Sequence, residues 1–244
     1  MGKHKILLDE QTLVLSENAP TALTGTIKVL TWNVMAADYS RVDFDHHQRI
    51  QQQLQFISEQ QADLVLLQEV DSTFLEHLQT HDLSTHYHLH ITDLNPYGQV
   101  TLAKVELNRI IYRFSKQGDK KILIIGDHHY QWINCHLRAG YRGLAERTGQ
   151  VKKVVDQMID PKKTVFFGGD LNMITEEETV PGWFDLSETK TVTFDPERNP
   201  LAAHVRYPGR FDRIYCNRPV TATSTVLDKI VLSDHYPLFV KLTL

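Results

Sequence analysis

The chain has 244 residues, of which 41% are hydrophobic and 23% charged, with a formal net charge of −4 and a pI near 6.3. These values suit a folded globular protein and exclude a disordered or collagen-like chain. The slight acidity argues against a general nucleic-acid or membrane-surface binder, because such proteins usually carry a basic excess. Two cysteines, Cys135 and Cys216, are too few for a disulfide framework and favour a reducing, cytoplasmic location.

The longest apolar runs are about five residues, far below the roughly 20 that a membrane-spanning helix needs, so we expect no membrane association. The apolar run near the N-terminus ends at Asp9 and is too short for a signal-peptide core. No linker rich in Pro, Gly or Ser divides the sequence. We therefore expect a monomer with a single domain over 1–244, in which 1–25 form an N-terminal extension or an edge strand.

Short apolar segments bounded by turn residues predict at least seven strands. Two of them contain continuous apolar runs, over 65–67 and 165–167, which suit strands buried on both faces. The predicted strands are 27–32, 63–67, 121–125, 130–135, 164–167, 210–216 and 237–242.

Three segments between these strands have helical spacing. A Gln-rich segment over about 45–61 places its apolar residues on one face. Asp71 is placed to cap a short helix that contains Phe74 and Leu78. A third apolar stripe runs over 144–158. The alternation of strands and helices favours an α/β fold in which two sheets pack face to face with helices outside.

Polar side chains that can do chemistry lie at the ends of six strands. A strand end usually holds a charge only where that charge is paired, hydrogen-bonded or bound to a metal. Six such ends therefore predict one convergent site at one edge of the sheets. The residues are Asn33, Glu69, His136, Asp170 with Asn172, Asp212, and Asp234 with His235.

Each of these residues also has a purely structural interpretation. Glu69 could lie in a solvated turn, and Asp170 could cap a helix after its two glycines. His136 could be a satisfied core histidine, and Asp212 could hold an ion pair with a flanking arginine. The combination, in this order along the chain, is much more specific than any single member.

Chemistry accounts for the whole set. Carboxylate and amide oxygens suit Mg²⁺ or Mn²⁺. An Asp beside a His orients the imidazole and keeps it protonated next to a phosphate, while a second Asp with an Asn can orient an attacking water. These are the groups needed to hydrolyse a phosphodiester or phosphomonoester, where positioning and charge stabilisation dominate.

Six motifs resemble the endonuclease/exonuclease/phosphatase (DNase I-like) superfamily and occur in its order. The resemblance implies a four-layer α/β sandwich, with two central mixed β-sheets flanked by helices. It covers nearly the whole chain. The motifs are LTWN (30–33), LLQEV (66–70), CHL (135–137), GGDLN (168–172), RFDRI (210–214) and LSDHYPL (232–238).

The resemblance also implies roles for the matching residues. Glu69 would hold Mg²⁺ or Mn²⁺, with Asn33 near the metal and the phosphate and with Asp234 supporting the metal side. Asp170 would orient or deprotonate the attacking water, and Asn172 would help to position it.

On the phosphate side, Asp212 would pair with His235, and that histidine would contact the phosphoryl oxygens. His136 would be a second histidine that contacts the phosphate.

Within the superfamily, the segments 135–158, 210–214 and 232–235 are similar to the type 2 tyrosyl-DNA phosphodiesterases. The segment 193–203 is similar to their substrate-side loop, where Phe194 stands in place of a common Trp. Phe194 could stack on a base or a tyrosyl ring, or it could anchor its loop in the core.

The sequence departs from that group at two places. Arg138 stands within a Leu-Arg-Ala stretch where the group usually has an acidic and then a hydroxyl residue, and Ile174 replaces a common arginine. The hydrolytic chemistry therefore transfers more safely than the tyrosyl-DNA substrate. Arg138, Phe194 and Arg210 are our candidate substrate-binding residues.

Three functional hypotheses follow. The first is a Mg²⁺-dependent phosphodiesterase that acts on DNA or RNA ends, in a role such as DNA repair. The second is a hydrolase of a small phosphoester, such as an inositol phosphate or a phospholipid head group; it ranks lower because no basic cluster adjoins the motifs. The third is a non-catalytic nucleic-acid-binding module, which predicts loss of the site residues, yet all of them are present.

Overall fold

Two mixed β-sheets of seven and six strands form the centre of the molecule. The structure is a computed structural model that describes residues 8–14, 23–37, 45–114, 120–187 and 191–244. Within this part of the chain, no helix is long and apolar enough to cross a membrane.

After the first strand, the chain forms most of the six-stranded sheet, then most of the seven-stranded sheet, and returns to the six-stranded sheet for its last two strands. The strands are β1 (Leu8–Val14), β2 (Thr26–Asn33), β3 (Leu64–Asp71), β4 (His88–Ile91), β5 (Tyr97–Ala103), β6 (Asn108–Phe114), β7 (Lys121–Gly126), β8 (Tyr130–His136), β9 (Thr164–Asp170), β10 (Phe184–Asp185), β11 (Asp212–Cys216), β12 (Thr221–Val226) and β13 (Leu238–Thr243). The helices are α1 (His46–Gln60), α2 (Ser72–Thr80), α3 (Leu83–His86) and α4 (Leu144–Gln157), with short 3₁₀ turns at Tyr141–Gly143 and Pro200–Ala202.

Each sheet contains one parallel pair of strands among antiparallel neighbours. The seven-stranded sheet has the order β1-β6-β7-β8-β9-β11-β10, in which β8 and β9 are parallel. The six-stranded sheet has the order β12-β13-β2-β3-β5-β4, in which β2 and β3 are parallel. A parallel pair needs a crossover, and α1 and α4 supply it. Both parallel pairs end in polar residues, which makes these strand ends the natural place for a site.

Apolar residues fill three layers. One cluster lies between the two sheets and includes Trp132 stacked on Phe166, with 4.0 Å between ring centroids. A second packs α1 and α2 on the outer face of the six-stranded sheet, and a third packs α4 on the outer face of the seven-stranded sheet. The result is a helix–sheet–sheet–helix sandwich, which confirms the fold class expected from the sequence.

A buried polar contact joins the two sheets beneath their polar ends. Gln68 of β3 donates from Nε2 to Oδ1 of Asn134 in β8 over 2.8 Å. Asn134 Nδ2 in turn lies 3.2 Å from the carbonyl oxygen of Leu67. Both side chains are almost fully buried, so this contact fixes one sheet against the other.

Two helices begin at an aspartate N-cap, and the cap at Asp71 was predicted from the sequence. Asp45 accepts a hydrogen bond from the Gln48 amide at the start of α1, and Asp71 accepts one from the Phe74 amide at the start of α2. These are N-caps of the kind that short acidic side chains favour. β1, which falls within the segment 1–25, pairs with β6 as an edge strand of its sheet.

The strand expected over 210–216 begins two residues late, at Asp212. The chain bends before it because Gly209 exchanges backbone hydrogen bonds with Phe194 instead of continuing the sheet. Arg210 therefore lies outside the strand.

Two glycines let β9 pack closely against its neighbours. Gly169 has a φ of +123°, and a Cβ there would collide with the Cys135 carbonyl of β8. A Cβ at Gly168 would lie 2.8 Å from the Arg213 carbonyl of β11. The two glycines directly precede Asp170, so their close packing also fixes the position of the Asp170 backbone.

We expect Gly169→Ala to lower the free energy of unfolding by about 3 kcal/mol, since it combines an unfavourable φ with a backbone clash. Urea denaturation measures this change. Gly182→Ala is the matched control, because Gly182 has a φ of +79° but no atom within 4 Å of the added Cβ. An equal decrease in the free energy of unfolding in both variants would show that the close packing of Gly169 against β8 does not contribute to stability.

Candidate active site

The polar strand ends converge on one cleft of about 370 Å³ at the edge of both sheets. Side chains from the ends of β3, β8 and β9 meet there with the segment before β13. Among the predicted residues, those that line the cleft are Glu69, His136, Asp170, Asn172, Phe194, Asp234 and His235.

Asn33 links the two sheets at the base of the cleft. Its side-chain Nδ2 donates to Glu69 Oε1 of the same sheet and to Asp170 Oδ2 of the other sheet, each over 3.0 Å. The Met35 amide donates to Asn33 Oδ1 over 3.0 Å and fixes the orientation of the carboxamide. One neutral amide thus holds two carboxylates near each other.

Glu69 reaches the cleft through a bulge in β3. The register between β3 and β5 shifts between Leu67 and Val70, and Glu69 has a φ of +56°. A bulge redirects a side chain, and a positive φ in a residue other than Gly is a strained conformation typical of functional sites. The backbone at Glu69 is therefore held in an unfavourable conformation that directs this carboxylate into the cleft.

Asp170 is held from both sides. The Asn172 amide donates to Asp170 Oδ1 over 3.0 Å, while Asn33 holds Oδ2. Asn172 itself has a φ of +50° and donates from Nδ2 to the Leu137 carbonyl over 3.2 Å. His136 Nε2 lies 3.4 Å from Asp170 Oδ2.

Asp212 and His235 form a buried pair on the far side of Asp170. The Nδ1 atom of His235 lies 2.7 Å from Asp212 Oδ2, and its Nε2 lies 3.8 Å from Asp170 Oδ2. Antiparallel pairing of β11 with β9 sets Asp212 directly opposite Asp170. Phe194 packs edge-on against the imidazole with 5.0 Å between ring centroids.

Ser233 ties the segment that carries Asp234 and His235 to β2. Its Oγ donates to the Asn33 carbonyl over 2.6 Å. Trp32 Nε1 donates to the His235 carbonyl over 2.8 Å. Two side-chain donors bound to backbone carbonyls therefore fix the segment that carries Asp234 and His235 against β2.

Burial shifts the pKa values of the site in opposite directions. It raises the pKa of Glu69 to about 7, with a further rise from the charge of Asp234. It raises the pKa of Asp170 to about 6, although the nearby His235 opposes the shift. Burial lowers the pKa of His136 well below 6.5, so this histidine is neutral at pH 7.

His235 behaves differently. Burial disfavours its charged form, but the carboxylates of Asp212 and Asp170 outweigh burial and raise its pKa well above 6.5. Its imidazole is protonated at neutral pH.

The donor set fits a divalent cation. Glu69, His136 and Asp170 present possible ligand atoms within 4.8 Å of one another. Three carboxylates, counting Asp234, line the cleft, while the charge of His235 is taken up by Asp212. Buried like charges are costly unless a cation offsets them, and oxygen-rich sets suit Mg²⁺ or Mn²⁺.

The three residues expected to bind substrate have different surroundings. Phe194 is buried and stacks on Phe211, with 5.1 Å between ring centroids, so it forms part of the cleft wall. Arg138 is exposed and pairs with Glu146 outside the cleft. Arg210 is buried and binds Glu176 and Asp185, which are also not among the cleft residues.

Polar and aromatic cleft residues that were not predicted from the sequence include Tyr97, Lys120, His204 and Tyr207. The Tyr97 ring lies 6.1 Å from the His136 ring, centroid to centroid. His204 Nε2 lies 3.6 Å from Asp234 Oδ2. None belongs to a motif, and tertiary packing alone brings them to the site.

The sequence over residues 30–235 matches the model of the Endonuclease/Exonuclease/phosphatase family. The chain belongs to this family. Membership makes it a phosphoester hydrolase. The matched residues run from just before Asn33 to His235 and so include the residues of the cleft described above. No curated protein is a significant match to the chain.

Solved structures of the family share the fold. Truncated TDP2 from Caenorhabditis elegans superposes with a TM-score of 0.74 at 22% identity, covering 90% of this chain and 98% of that one. TDP2 from D. rerio in complex with single-stranded DNA product gives 0.65 at 19% identity, covering 90% and 99%. SmcL gives 0.71 at 18% identity, covering 90% and 99%.

We expect Asp212→Asn to lower the pKa of His235. Burial lowers this pKa, and the substitution removes the carboxylate charge that raises it. NMR titration of the imidazole measures this pKa. In the wild type, the pKa of His235 is higher in the folded protein than in the unfolded chain. Protonation of His235 therefore adds to the free energy of unfolding below about pH 6.5, and this contribution is lost as the pH rises through the folded pKa. Asp63→Asn is a remote control that leaves the titration of His235 unchanged. An unaltered titration in Asp212→Asn would contradict the assigned pairing.

Proposed function

We propose that the protein is a Mg²⁺- or Mn²⁺-dependent phosphodiesterase that hydrolyses phosphoester bonds at nucleic-acid ends. The single observation that carries this proposal is the arrangement of charge in the cleft. A protonated His235, held by Asp212, has its Nε2 3.8 Å from Asp170 Oδ2, and both residues line the same cleft as Glu69. A phosphate needs a cationic donor on one side and a base with a metal on the other.

Glu69 would hold the divalent cation, with Asp234 on the same side, while Asn33, whose Nδ2 donates to Glu69 Oε1, would keep that carboxylate in place. The bound cation would supply positive charge to the phosphoryl oxygens as negative charge develops there. Ala36, whose amide lies 3.3 Å from Glu69 Oε2, keeps the carboxylate oriented.

Asp170 would accept the proton of the attacking water. Its two oxygens are oriented by the Asn172 amide and the Asn33 side chain, so little reorganisation is needed when the water loses its proton. The pKa of about 6 lies near neutral pH, where a general base is most effective. Asn172 would help to position the water.

His235 would donate from Nε2 to a phosphoryl oxygen while its Nδ1–H stays bound to Asp212. Because this donor is preoriented and charged, it stabilises the transition state more than the ground state. His136, which is neutral, would provide a second hydrogen bond to the phosphate.

The cleft walls favour a nucleic-acid end over a polyphosphorylated small molecule. Tyr97 and Tyr207 supply aromatic surface, on which bases stack. Of the described residues that line the cleft, Lys120 is the one Lys or Arg, which is too little for a ligand with several phosphates. The DNA product bound to D. rerio TDP2 supports the same substrate class. We propose end processing by a cytoplasmic monomer, with DNA repair as one setting.

A substrate panel tests the proposal. With Mg²⁺ present, we expect hydrolysis of a 5′-tyrosyl oligonucleotide or of single-stranded DNA or RNA ends, and little hydrolysis of an inositol phosphate. Asp170→Asn and His235→Ala should each lower kcat by about 10³-fold or more, since each removes a transition-state interaction. Near-wild-type turnover by either variant would refute the assignment. Preference for the inositol phosphate would support the second hypothesis.

Metal dependence is tested separately. We expect EDTA to abolish hydrolysis and added Mg²⁺ or Mn²⁺ to restore it. Glu69→Gln should raise the Mg²⁺ concentration for half-maximal activity by at least about tenfold, because removing a charged ligand weakens binding. Glu146→Gln, outside the cleft, is the control. Full activity in EDTA would contradict the proposal.

A further inference from the structure

Each crossover helix carries a buried arginine and glutamine one turn apart. On α1 these are Arg49 and Gln53, here called the α1 pair. On α4 they are Arg147 and Gln150, the α4 pair. All four side chains are at most 3% exposed. A buried guanidinium is costly unless its donors are satisfied, so the partners of these side chains indicate what the pairs do.

The α1 pair binds the chain directly after Asn33. Arg49 donates from Nη1 to the Val34 carbonyl and from Nη2 to the Met35 carbonyl, both over 2.6 Å. Gln53 Nε2 donates to the same Val34 carbonyl over 2.9 Å. The backbone that carries Asn33 is therefore fastened to the helix by charged and neutral donors.

The same two side chains also reach the segment before β13. The Leu232 carbonyl accepts from Gln53 Nε2 over 2.9 Å and from Arg49 Nη1 over 3.3 Å. Leu232 precedes residues 233–235 directly. The α1 pair thus joins the backbone of Asn33 to the backbone that carries His235.

The α4 pair binds the chain after His136. Arg147 Nη1 donates to the carbonyls of Arg138 and Gly140 over 3.1 and 2.7 Å. Gln150 Oε1 accepts from the Arg138 amide over 3.0 Å. This loop forms one lip of the cleft, where Gly140 lines it.

Through Glu178, Arg147 also connects to a second lip of the cleft. The two form a bidentate ion pair, with Nε–Oε2 at 2.8 Å and Nη2–Oε1 at 3.0 Å. Glu178 Oε1 accepts from the Ile174 amide over 2.8 Å, and Ile174 lines the cleft. Through Arg147, the α4 pair therefore links the loop that carries Gly140 to the loop that carries Ile174.

We infer that the two pairs are positioning residues with separate effects on the reaction. The α1 pair fixes Asn33 relative to His235, across the reacting phosphate, and controls kcat. The α4 pair fixes the two lips that receive the rest of the substrate, and controls KM. The kinetic part of this inference rests on the proposed function.

Geometry explains why apolar side chains would not serve instead. A methionine can fill the volume of Gln53 or Gln150, but it cannot direct a carbonyl or an amide. A shift of about 1 Å in a catalytic group can cost roughly 10²-fold in rate. Sites of this kind need groups held within about 0.5 Å, which a directional fork provides.

Kinetics separate the two effects on whichever panel substrate the wild type hydrolyses. We expect Gln53→Met to lower kcat about tenfold or more with KM changed less than about twofold. Arg147→Lys should raise KM about tenfold with a smaller change in kcat, because one ammonium cannot replace the planar fork. If Arg147→Lys does not fold, Gln150→Met takes its place.

The matched controls are Leu54→Ala on α1 and Val154→Ala on α4, both apolar core positions. Each lowers stability without removing a directed hydrogen bond, so kcat and KM should stay within about twofold of wild type. Equal kinetic losses in controls and pair variants would overturn the inference. So would a common effect of both pairs on the same kinetic constant.

Amide hydrogen exchange tests the pairs without any activity. Exchange at the Met35 amide, which donates to Asn33 Oδ1, should accelerate at least about tenfold in Gln53→Met. Exchange at the Arg138 amide should accelerate in Gln150→Met, with neither amide affected in the controls. If the wild type hydrolyses no panel substrate, the proposed function fails, and exchange still decides the positioning role. Unchanged exchange in both variants would refute that role.

Discussion

The contact on which the site depends is the carboxamide of Asn33 between two carboxylates. Glu69 belongs to one sheet and Asp170 to the other, and burial raises the pKa of both. Two such groups repel each other and are costly to remove from water. The bulge at Glu69 and the tight glycine packing before Asp170 hold them in place nevertheless. The fold thus maintains a concentration of negative charge that attracts a cation and receives a proton.

The sheet topology determines which strands supply each part of the cleft. Each sheet has one parallel pair, and each pair ends with polar residues beside the loop that leads into its crossover helix. One half of the cleft comes from β2 and β3 and the other from β8 and β9, while the Asp212–His235 pair completes it from β11 and the segment before β13. The carboxylates and the protonated imidazole of His235 consequently lie side by side in one cleft, which suits a phosphate.

The sequence was most informative where local chemistry decides the structure. Strand ends with polar residues, the cap at Asp71 and the motif order led to the correct fold and to residues that do meet in one cleft. Arg138 and Arg210 lie outside the cleft lining, because a sequence does not show which way a charged side chain points. Glu146 pairs with Arg138, while Glu176 and Asp185 pair with Arg210. Tyr97, Lys120 and His204 were missed because only long-range packing brings them to the cleft.

The buried contact between Gln68 and Asn134 has a consequence for how the two sheets align. Apolar packing between sheets is non-directional and would tolerate small sliding movements. A hydrogen bond of 2.8 Å between amides, with Asn134 also bound to the Leu67 carbonyl, accepts one alignment only. Distances such as the 3.0 Å from Asn33 to Asp170 span the two sheets and would lengthen with any slippage. The hydrogen bond between Gln68 and Asn134 therefore gives the two sheets one defined alignment, and with it a defined distance between the site residues at their edge.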